Sequence, residues 1–568
     1  MSSPKPAPPL CLLIFFPMRN WPLSLLSFSP QRQLGKKDPY CFILRQRLGV
    51  PGNIWRVSIA AHFIEKDAAL HQGGTASTLV RIPRYNPQDS RGAPPHLRSW
   101  DAMLYPVSSL LSPRFFGYSL SQLLILFSYA VLFGVLLLIY SDPTRNPKRA
   151  GWIAMSQMPV VFILGTKNSI VGLLTARGYQ NLNYIHRWVG QLIFIASLFH
   201  VVSFLVLWTR AGTLQHSMIR PVSIWGTVAF GGIALLSVCS LPAIRRWSYT
   251  FFFHCHWVGY ITLLISIWNH VPEAIPYAIA TAGIYVLDLF LRTIKSHITQ
   301  ATIHFVPEMT CTRVSIRNVS RGWRAGQHVR LTVLSMGMGL GVIESHPFTI
   351  ASASGDDEGL ILYCKKTGDW TAKLGTLAEG GITAKSSEAG FGAGRNVSVI
   401  VQGPYGGPGH VVFSSYSAAM VVCGGSGITF GLATVKEIMR DAFDRRSHVR
   451  LVDLIWVVCD PSSLTPLLPT FTKLCEQAAC VSSAPVFALP DGIVMQAGRP
   501  ELRDTLYASL SCVSALKNKS RSGPHGVIVG VCGPKGLVAQ VRKVERGVGK
   551  SVRKAVGGIE LVDEVFGW

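Results

Sequence analysis

The sequence predicts a membrane protein with a large soluble half: a six-span α-helical domain, then an antiparallel β-barrel, then an α/β domain with a parallel sheet. Three observations predict it. Hydrophobic residues make up 49% of the 568 residues and charged residues only 15%, a balance that puts much of the chain in lipid. Long apolar runs separated by short polar ones fill the stretch from about 118 to 292. Past about residue 300 the pattern changes to short β-branched runs punctuated by Gly and Pro ("HVRLTVL", "VSVIVQGPYGG"), and after Ser415 strand and helix patterns alternate.

Residues 1–117 are rich in Pro, Ser and Arg. Their one short apolar run, "LCLLIFF" from Leu10, is too short to span, and Pro17, Arg19 and Pro22 break any continuation. No basic cluster precedes it and no small-residue cleavage site follows, so a basic, disordered region is expected rather than a signal sequence. Spans are expected near 119–140, 152–173, 185–208, 222–242, 249–270 and 274–291, the second being the weakest because Lys167 and Asn168 interrupt it. An even number puts both ends on one side. The basic N-terminal region, Arg245, Arg246, Arg292 and Lys295 mark that side as cytoplasmic, against which stand Arg145, Lys148 and Arg149.

The net charge of +25 does not point to nucleic acid, because the basic residues form no single tract with interleaved aromatics. A positive cytoplasmic face beside acidic lipid accounts for it. The twelve cysteines include no CxxC pair, and Cys475 and Cys480 are the closest plausible couple, so no structural zinc site follows. Most lie in the soluble half, which suggests reduced thiols in the cytosol. Sequons at Asn318, Asn396 and Asn518 fall in the same half and are expected to stay unglycosylated.

The third span carries His186 and His200, and the fifth carries His256 and His270; each pair is fourteen residues apart. At ~100° and ~1.5 Å per residue, fourteen residues return to within ~40° of the same face and climb ~21 Å. Both helices run from inside to outside, so packing them side by side brings His186 level with His256 and His200 level with His270. Two facing imidazole nitrogens are what a six-coordinate haem iron takes, and two b-type haems stacked across the bilayer follow, with these four residues as metal ligands. A single intramembrane histidine would be read as a core group or a proton relay; two pairs at the same interval argue against that. His254 falls sixteen residues before His270, on the opposite face, and is expected to be a packing or interfacial residue. His216 lies in a loop and is expected to be solvated.

The stretches "NPKRAGWIAMSQMPVVFILGTKNSIVGLL", "LNYIHRWVGQ" and "RRWSYTFFFHCHWVGY" resemble the membrane signature of the ferric reductase and NADPH oxidase superfamily of membrane flavocytochromes, its fungal metalloreductase branch in particular. The resemblance runs from about residue 118 to the end. It implies a di-haem domain at 118–292, an FAD-binding β-barrel at 300–414 and an NAD(P)H-binding domain at 415–568, the last two arranged as in ferredoxin-NADP reductase. "AGQHVRL" and "HPFTIAS" are similar to the family's flavin-binding pair, which implies that His346, Pro347, Phe348 and Thr349 hold the isoalloxazine and ribityl chain; Ala325 stands where the family usually has Pro. "KKTGDWTAKL" implies Lys366, Gly368 and Thr371 at the flavin pyrophosphate.

"GPYGG", with Gly403 and Pro404, and "CGGSGITF", with Gly424, Gly425, Ser426 and Gly427, resemble the nicotinamide half. The second lies between a strand and a helix, where backbone amides can approach a pyrophosphate. "CGPKG" implies Cys532, Gly533 and Pro534 near the nicotinamide ring, with Cys532 catalytic. The terminal "VDEVFGW" implies that Trp568, with Phe566, stacks on the flavin until nicotinamide displaces it. One departure bears on the nucleotide: Cys459 follows "LIWVV", where the family commonly has Arg or Lys for the 2′-phosphate. Arg450 or the pair Arg445 and Arg446 are substitutes, so NADPH is expected and NADH stays open.

The resemblance implies electron transfer from cytosolic NADPH through FAD and two haems to an external ferric or cupric chelate, in the plasma membrane, with the flavin domain cytosolic and a metal permease or oxidase uptake system as partner. Six-coordinate haems leave no iron site open, so the last step would be outer-sphere. A superoxide-producing NADPH oxidase is the alternative; the short outer connections near 141–151, 209–221 and 271–273 stand against it. A non-catalytic membrane scaffold or regulatory paralogue is the alternative of another class, suggested by Cys459.

Overall fold

The computed structural model describes residues 55–62 and the chain from 107 to 564, apart from 140–145, most of 381–391, 483–492, 498–500, 517–524 and a few single residues. The expected roles of Phe566 and Trp568 fall outside the described residues. The first strand, β1 (Trp55–His62), belongs to a sheet built by the end of the chain. The membrane half then opens with helix α1 (Leu120–Leu138), whose N-terminus is closed by Ser119 and Gln122 bonding reciprocally to backbone amides.

After α1 come α2 (Lys148–Ser156), α3 (Met158–Gly165), α4 (Tyr179–Arg210), α5 (Pro221–Cys239), α6 (Tyr249–His270) and α7 (Ile275–Ile294), the last entered through a tight turn at Pro272–Ala274. Among the described residues five helices are long and apolar enough to cross a bilayer: α1, α4, α5, α6, and α7 with its entry turn. Their outer faces carry Phe127, Leu138, Ile195 and Val286, each more than half exposed, a surface that only lipid would cover. α5 and α6 touch backbone to backbone: a Cβ on Gly232 would sit 3.1 Å from the Gly259 carbonyl oxygen.

The span expected at 152–173 is not one helix. α2 and α3 meet at Gln157, two residues before Pro159, which has no N–H to continue the ladder. Helix α3 stops at Gly165, ahead of Lys167 and Asn168. Asp288, buried in α7, holds this polar turn by accepting from the Asn168 backbone amide (2.9 Å) and side-chain amide (3.0 Å), while the Lys295 ammonium donates to Asn168 Oδ1 (2.6 Å). A carboxylate inside an apolar span is thereby paired rather than stranded.

The barrel is made of β2 (Ser296–Val306), β3 (Cys311–Ile316), β4 (Gln327–Leu334), β5 (His346–Thr349), β6 (Leu360–Lys365) and β7 (Arg395–Gly406). Their order is β5-β4-β7-β2-β3-β6, all antiparallel, and a bridge between Ile350 and Leu362 closes the ring. Inward residues Ile303, Val314, Leu331, Val333 and Val399 are fully buried, the alternation a barrel wall requires.

The last domain places β8 (Ala418–Gly424), β9 (Leu451–Val458), β10 (Ile493–Ala497), β11 (Val527–Cys532) and β12 (Ile559–Glu564) in one sheet with β1, in the order β10-β1-β9-β8-β11-β12. β9, β8, β11 and β12 are parallel, and every residue of β8 is buried, as in the centre of a sheet covered on both faces. β1 runs antiparallel to both its neighbours, from Trp55 opposite Val458 to His62 opposite Leu451. The expectation that residues 1–117 are disordered is corrected for this segment. All eight residues pair with β9 and Trp55–Ile59 pair with β10 as well, a partnership that local composition does not reveal.

Candidate functional site

α4 and α6 bring the four histidines together as two pairs. The ring centroids of His186 and His256 are 6.2 Å apart, and those of His200 and His270 are 6.5 Å apart. With a metal–nitrogen bond of ~2 Å and about 1.2 Å from ring nitrogen to ring centre, two imidazoles on one iron have centroids ~6.4 Å apart. Both pairs fit that separation. His254 stays outside, exposed and with Nδ1 donating to the Thr250 carbonyl of its own helix (2.8 Å); His216 is exposed beyond α4.

The structure adds what holds these rings. Nδ1–H of His186 donates to the Val161 carbonyl, that of His200 to Pro147, and that of His270 to Val222, each at 2.8 Å. A carbonyl can only accept, so three rings carry their proton on Nδ1 and present a bare Nε2, the state a metal ligand needs. His256 Nδ1 lies 3.3 Å from Ser240 Oγ. Three glycines press on the rings: a Cβ would sit 2.8 Å from His200 at Gly151, 2.9 Å from His186 at Gly165 and 2.7 Å from His270 at Gly226. Gly151 and Gly165 are fourteen residues apart, the interval of the histidines themselves, and that shared register was the signal available in the sequence.

A cavity of about 430 Å³ surrounds the inner pair. Met158, Val161, Ile193 and Leu263 give it apolar walls, and Arg187, Arg245 and Arg292 stand at its edge. The Nε of each of these arginines is buried with no hydrogen-bond partner among the described residues. Opposed nitrogens, apolar walls and arginine Nε donors left without a partner suit a flat macrocycle carrying carboxylates.

In the barrel, β5 carries the expected flavin residues. His346 is half-buried, its Nε2 2.9 Å from Glu344 Oε2; Pro347, Phe348 and Thr349 pair with Arg330, Val329 and His328 of β4. The sequence reading missed Trp370, whose ring lies 4.6 Å from His346 and 5.9 Å from Phe348 and is fixed by its indole N–H on the Gly341 carbonyl (3.0 Å). Trp370 sits in α8 (Asp369–Glu379), just after Gly368. Lys366 and Gly368 are exposed beside that helix start. The Thr371 hydroxyl instead accepts from the Thr367 and Gly368 amides (2.9 and 3.0 Å) and shapes the turn.

In the last domain, β8 stops at Gly424 and helix α9 (Ile428–Phe443) begins after a turn at Gly425–Gly427, with Gly425 and Ser426 exposed at the helix start. A Cβ at Gly427 would strike the Cys532 carbonyl, and one at Gly424 would lie 2.8 Å from Pro534 Cδ, so Gly533 and Pro534 pack on the glycine turn. Gly403 (φ 142°) and Pro404 lie farther along β7, beside Val329. Burial pushes the Cys532 thiol well above its ordinary value, and burial followed by the Asp563 charge raises Glu564, its neighbour on β12, to about 8. A neutral thiol and a neutral carboxyl therefore lie side by side at pH 7. Arg445, Arg446 and Arg450 precede β9 whereas the exposed Cys459 follows it, roughly 30 Å along the strand, so none of the three stands in for a cation there.

Where barrel meets membrane, burial first, then the Arg330 guanidinium and Lys167 ammonium, hold His328 down from 6.5 to about 4. The folded imidazole is therefore neutral where the unfolded one takes up a proton, so its contribution to stability is complete above pH ~6.5 and is lost as pH falls toward ~4. Thermal unfolding of the wild type should show that acid-side loss, and His328→Gln should flatten it over the same window.

Residues 150–267 match the family described as "Ferric reductase like transmembrane component", and residues 296–409 match one described as "FAD-binding domain". A probable cell surface ferric reductase, kap2, of Aspergillus oryzae is 26% identical over 56% of this chain and 44% of its own length. Ferric/cupric reductase transmembrane component 7 of Saccharomyces cerevisiae is 26% identical over 55% of this chain and 49% of its own. The chain thus spans about half the length of these relatives. Among solved structures, a flavohemoglobin from Malassezia yamatoensis with bound FAD and heme aligns over 75% of this chain and 99% of its own at 14% identity, with a TM-score of 0.32. The matches to a membrane reductase component and to the flavin domain that follows it, in that order, and to fungal relatives of the same kind, make the chain similar to the fungal metalloreductases of the ferric reductase family.

Proposed function

We propose that the protein is a transmembrane oxidoreductase that takes electrons from NADPH on the cytosolic side and delivers them through FAD and two b-type haems to a ferric or cupric chelate outside. The observation that carries this reading is the pair of imidazole pairs, 6.2 and 6.5 Å apart and one above the other, each anchored from outside its own helix. When bound, FAD divides the hydride of the nucleotide into single electrons, and the haems carry those electrons across the membrane one at a time.

The chain's own residues do the rest. His186 and His256 would hold the inner haem and His200 and His270 the outer, with Nδ1–H anchors preventing the rings from turning away. Arg187, Arg245 and Arg292 would pair the inner haem's propionates. With a histidine pair holding each iron, no iron site would stay open to a chelate, which would favour outer-sphere delivery. His346, Phe348 and Thr349, backed by Trp370, would receive the flavin ring; Lys366 and Gly368, beside the turn Thr371 shapes, would face its pyrophosphate. Gly424, Gly425, Ser426 and Gly427 would receive the nucleotide phosphates, with Gly403, Pro404, Cys532, Gly533 and Pro534 closing the nicotinamide side and Trp568 covering the flavin.

Orientation in the plasma membrane with the flavin domain cytosolic is part of this proposal. Because β1 shares a sheet with β12, both ends would lie on one side, and the number of crossings would be even. The broken helix α2–α3 would supply the sixth. Its Pro147 stands level with His200 and its Val161 with His186, so it passes ~21 Å of membrane beside α4. A metal permease or oxidase taking up the reduced ion remains the proposed partner.

NADPH-driven reduction of a ferric chelate by sealed vesicles, measured with and without superoxide dismutase, tests the acceptor. Dismutase-insensitive reduction is expected; complete inhibition by dismutase would move the reading to superoxide production. Since Arg445, Arg446 and Arg450 lie at the other end of β9, Cys459→Arg is expected to lower KM for NADPH by about 5- to 10-fold without changing that for NADH, as a charge-assisted contact to the 2′-phosphate would. Steady-state kinetics with both nucleotides checks this.

A further inference from the structure

Three aromatic side chains meet where the flavin barrel abuts the membrane helices. Tyr179 opens α4, His328 lies in β4 opposite Thr349, and Tyr405 lies in β7 opposite His328. Their ring centroids are 6.0 Å (Tyr179–His328), 6.3 Å (Tyr179–Tyr405) and 6.1 Å (His328–Tyr405) apart, and Tyr179 Oη is 3.4 Å from His328 Nε2. Two glycines let the backbones close: a Cβ on Gly178 would sit 3.0 Å from Gly406 Cα. The Nζ atoms of Lys167 and Lys295, both from the membrane half, stand 6.0 and 5.6 Å from the Tyr405 ring centre, and the Gly403 amide donates to the Lys295 carbonyl (3.0 Å).

The cluster joins two places that the proposed function needs held at a fixed distance. On one side, His328 is the cross-strand partner of Thr349 in the flavin strand. On the other, Tyr179 is seven residues, two turns and ~10 Å, from His186 along one rigid helix. Resting on that functional reading, we infer that Tyr179, His328 and Tyr405 are positioning residues: their junction locks the flavin strand to the helix of the inner histidine and so sets the rate at which electrons leave the flavin site for the inner site.

With both cofactors bound, the flavin would give up one electron and the inner haem would take it, while no bond would form or break at the junction and no ring there would change oxidation state. The Lys295 ammonium beside Tyr405 disfavours the positive charge that oxidising it would create. The rings therefore act as a rigid spacer. Ordinary interdomain packing would use the same contacts, but a packing role alone would not make transfer depend on one ring while flavin and haem occupancy stay constant.

The test uses the full-length protein loaded with FAD and haem, as wild type, Tyr179→Leu, Tyr179→Phe and Tyr405→Leu. Hydrogen exchange at 327–329 and 403–406 reads docking directly, and stopped-flow absorbance separates flavin reduction by NADPH from the haem reduction that follows. Tyr179→Leu is expected to keep the wild-type Soret band and flavin reduction rate, to exchange faster in both segments, and to slow haem reduction at least ~10-fold, since a small displacement of reacting partners costs that much or more. Tyr179→Phe should stay within about twofold of wild type, because it keeps the ring. Tyr405→Leu, on the barrel side, should repeat the Tyr179→Leu pattern should that variant fold poorly. Wild-type exchange and transfer in both leucine variants would overturn the inference, as would Tyr179→Phe as slow as Tyr179→Leu, which would assign the effect to the hydroxyl. Absence of NADPH-driven haem reduction in the wild type would refute the functional reading, and the exchange measurements would still decide the junction.

Discussion

His200→Ala is expected to remove the outer haem and leave the inner one: the haem content of the purified protein falls from two to one per chain, while NADPH still reduces the haem that remains. Reduction of an external chelate should drop by at least ~100-fold, the scale on which loss of a metal ligand or its support is felt. The reason is geometric. His270 keeps its anchor on Val222, but the opposing ring, with its centroid 6.5 Å away, is gone, and the other histidine of α4, His186, lies fourteen residues off. His186→Ala should act at the other level, where His256 would be left alone, and should stop NADPH from reducing either haem. Spectra taken after NADPH and after a chemical reductant separate the two cases, since the chemical reductant reaches a haem that the flavin no longer serves.

The second large effect is expected from residues that touch no metal. Gly165→Leu and Gly151→Leu place a Cβ 2.9 and 2.8 Å from His186 and His200, against an ordinary contact of about 3.5–4.0 Å. Glycines on a helix that also supplies the anchoring carbonyl cannot move away without losing that bond, so the ring must turn and its Nδ1–H must leave Val161 or Pro147. Each variant should lose the haem at its own level with all four histidines present. Gly231→Ala in α5, where a Cβ meets nothing within 4 Å, should leave both haems in place. A haem assay on membranes from the three variants checks the series.

Much of this arrangement was legible in the sequence because helical geometry is so regular. Fourteen residues is close to a whole number of turns, so two histidines at that interval must share a face, and two helices with the same interval must match level by level. The ends of α6, Tyr249 and His270, follow from the apolar run alone. The break in α2–α3 was less legible. Lys167 and Asn168 advertised trouble, but the carboxylate that makes the polar turn tolerable, Asp288, lies 120 residues away in another helix. β1 was invisible for the same reason: an eight-residue strand is stable only beside β9 and β10, which are supplied some 400 residues later.

The flavin site divides similarly. His346 through Thr349 announced themselves by motif, whereas Trp370, held between His346 and Phe348, sat unremarked in "KKTGDWTAKL" because its partners are contacts in space rather than neighbours in sequence. Thr371 was expected at the flavin pyrophosphate, and its hydroxyl is occupied by the amides of Thr367 and Gly368. The arginine substitutes for a cation after β9 failed on strand length: a residue before a strand and one after it are far apart by construction.

The central claim is that four histidines on two helices hold two haems, each between a pair of imidazoles. The most direct measurement is low-temperature electron paramagnetic resonance of the oxidised purified protein, combined with haem and flavin quantitation on the same sample. Two low-spin ferric signals with two haems per FAD are predicted, because each iron would have both axial positions filled by imidazole. A high-spin signal, or a single haem per FAD, would contradict the pairing of His186 with His256 and His200 with His270.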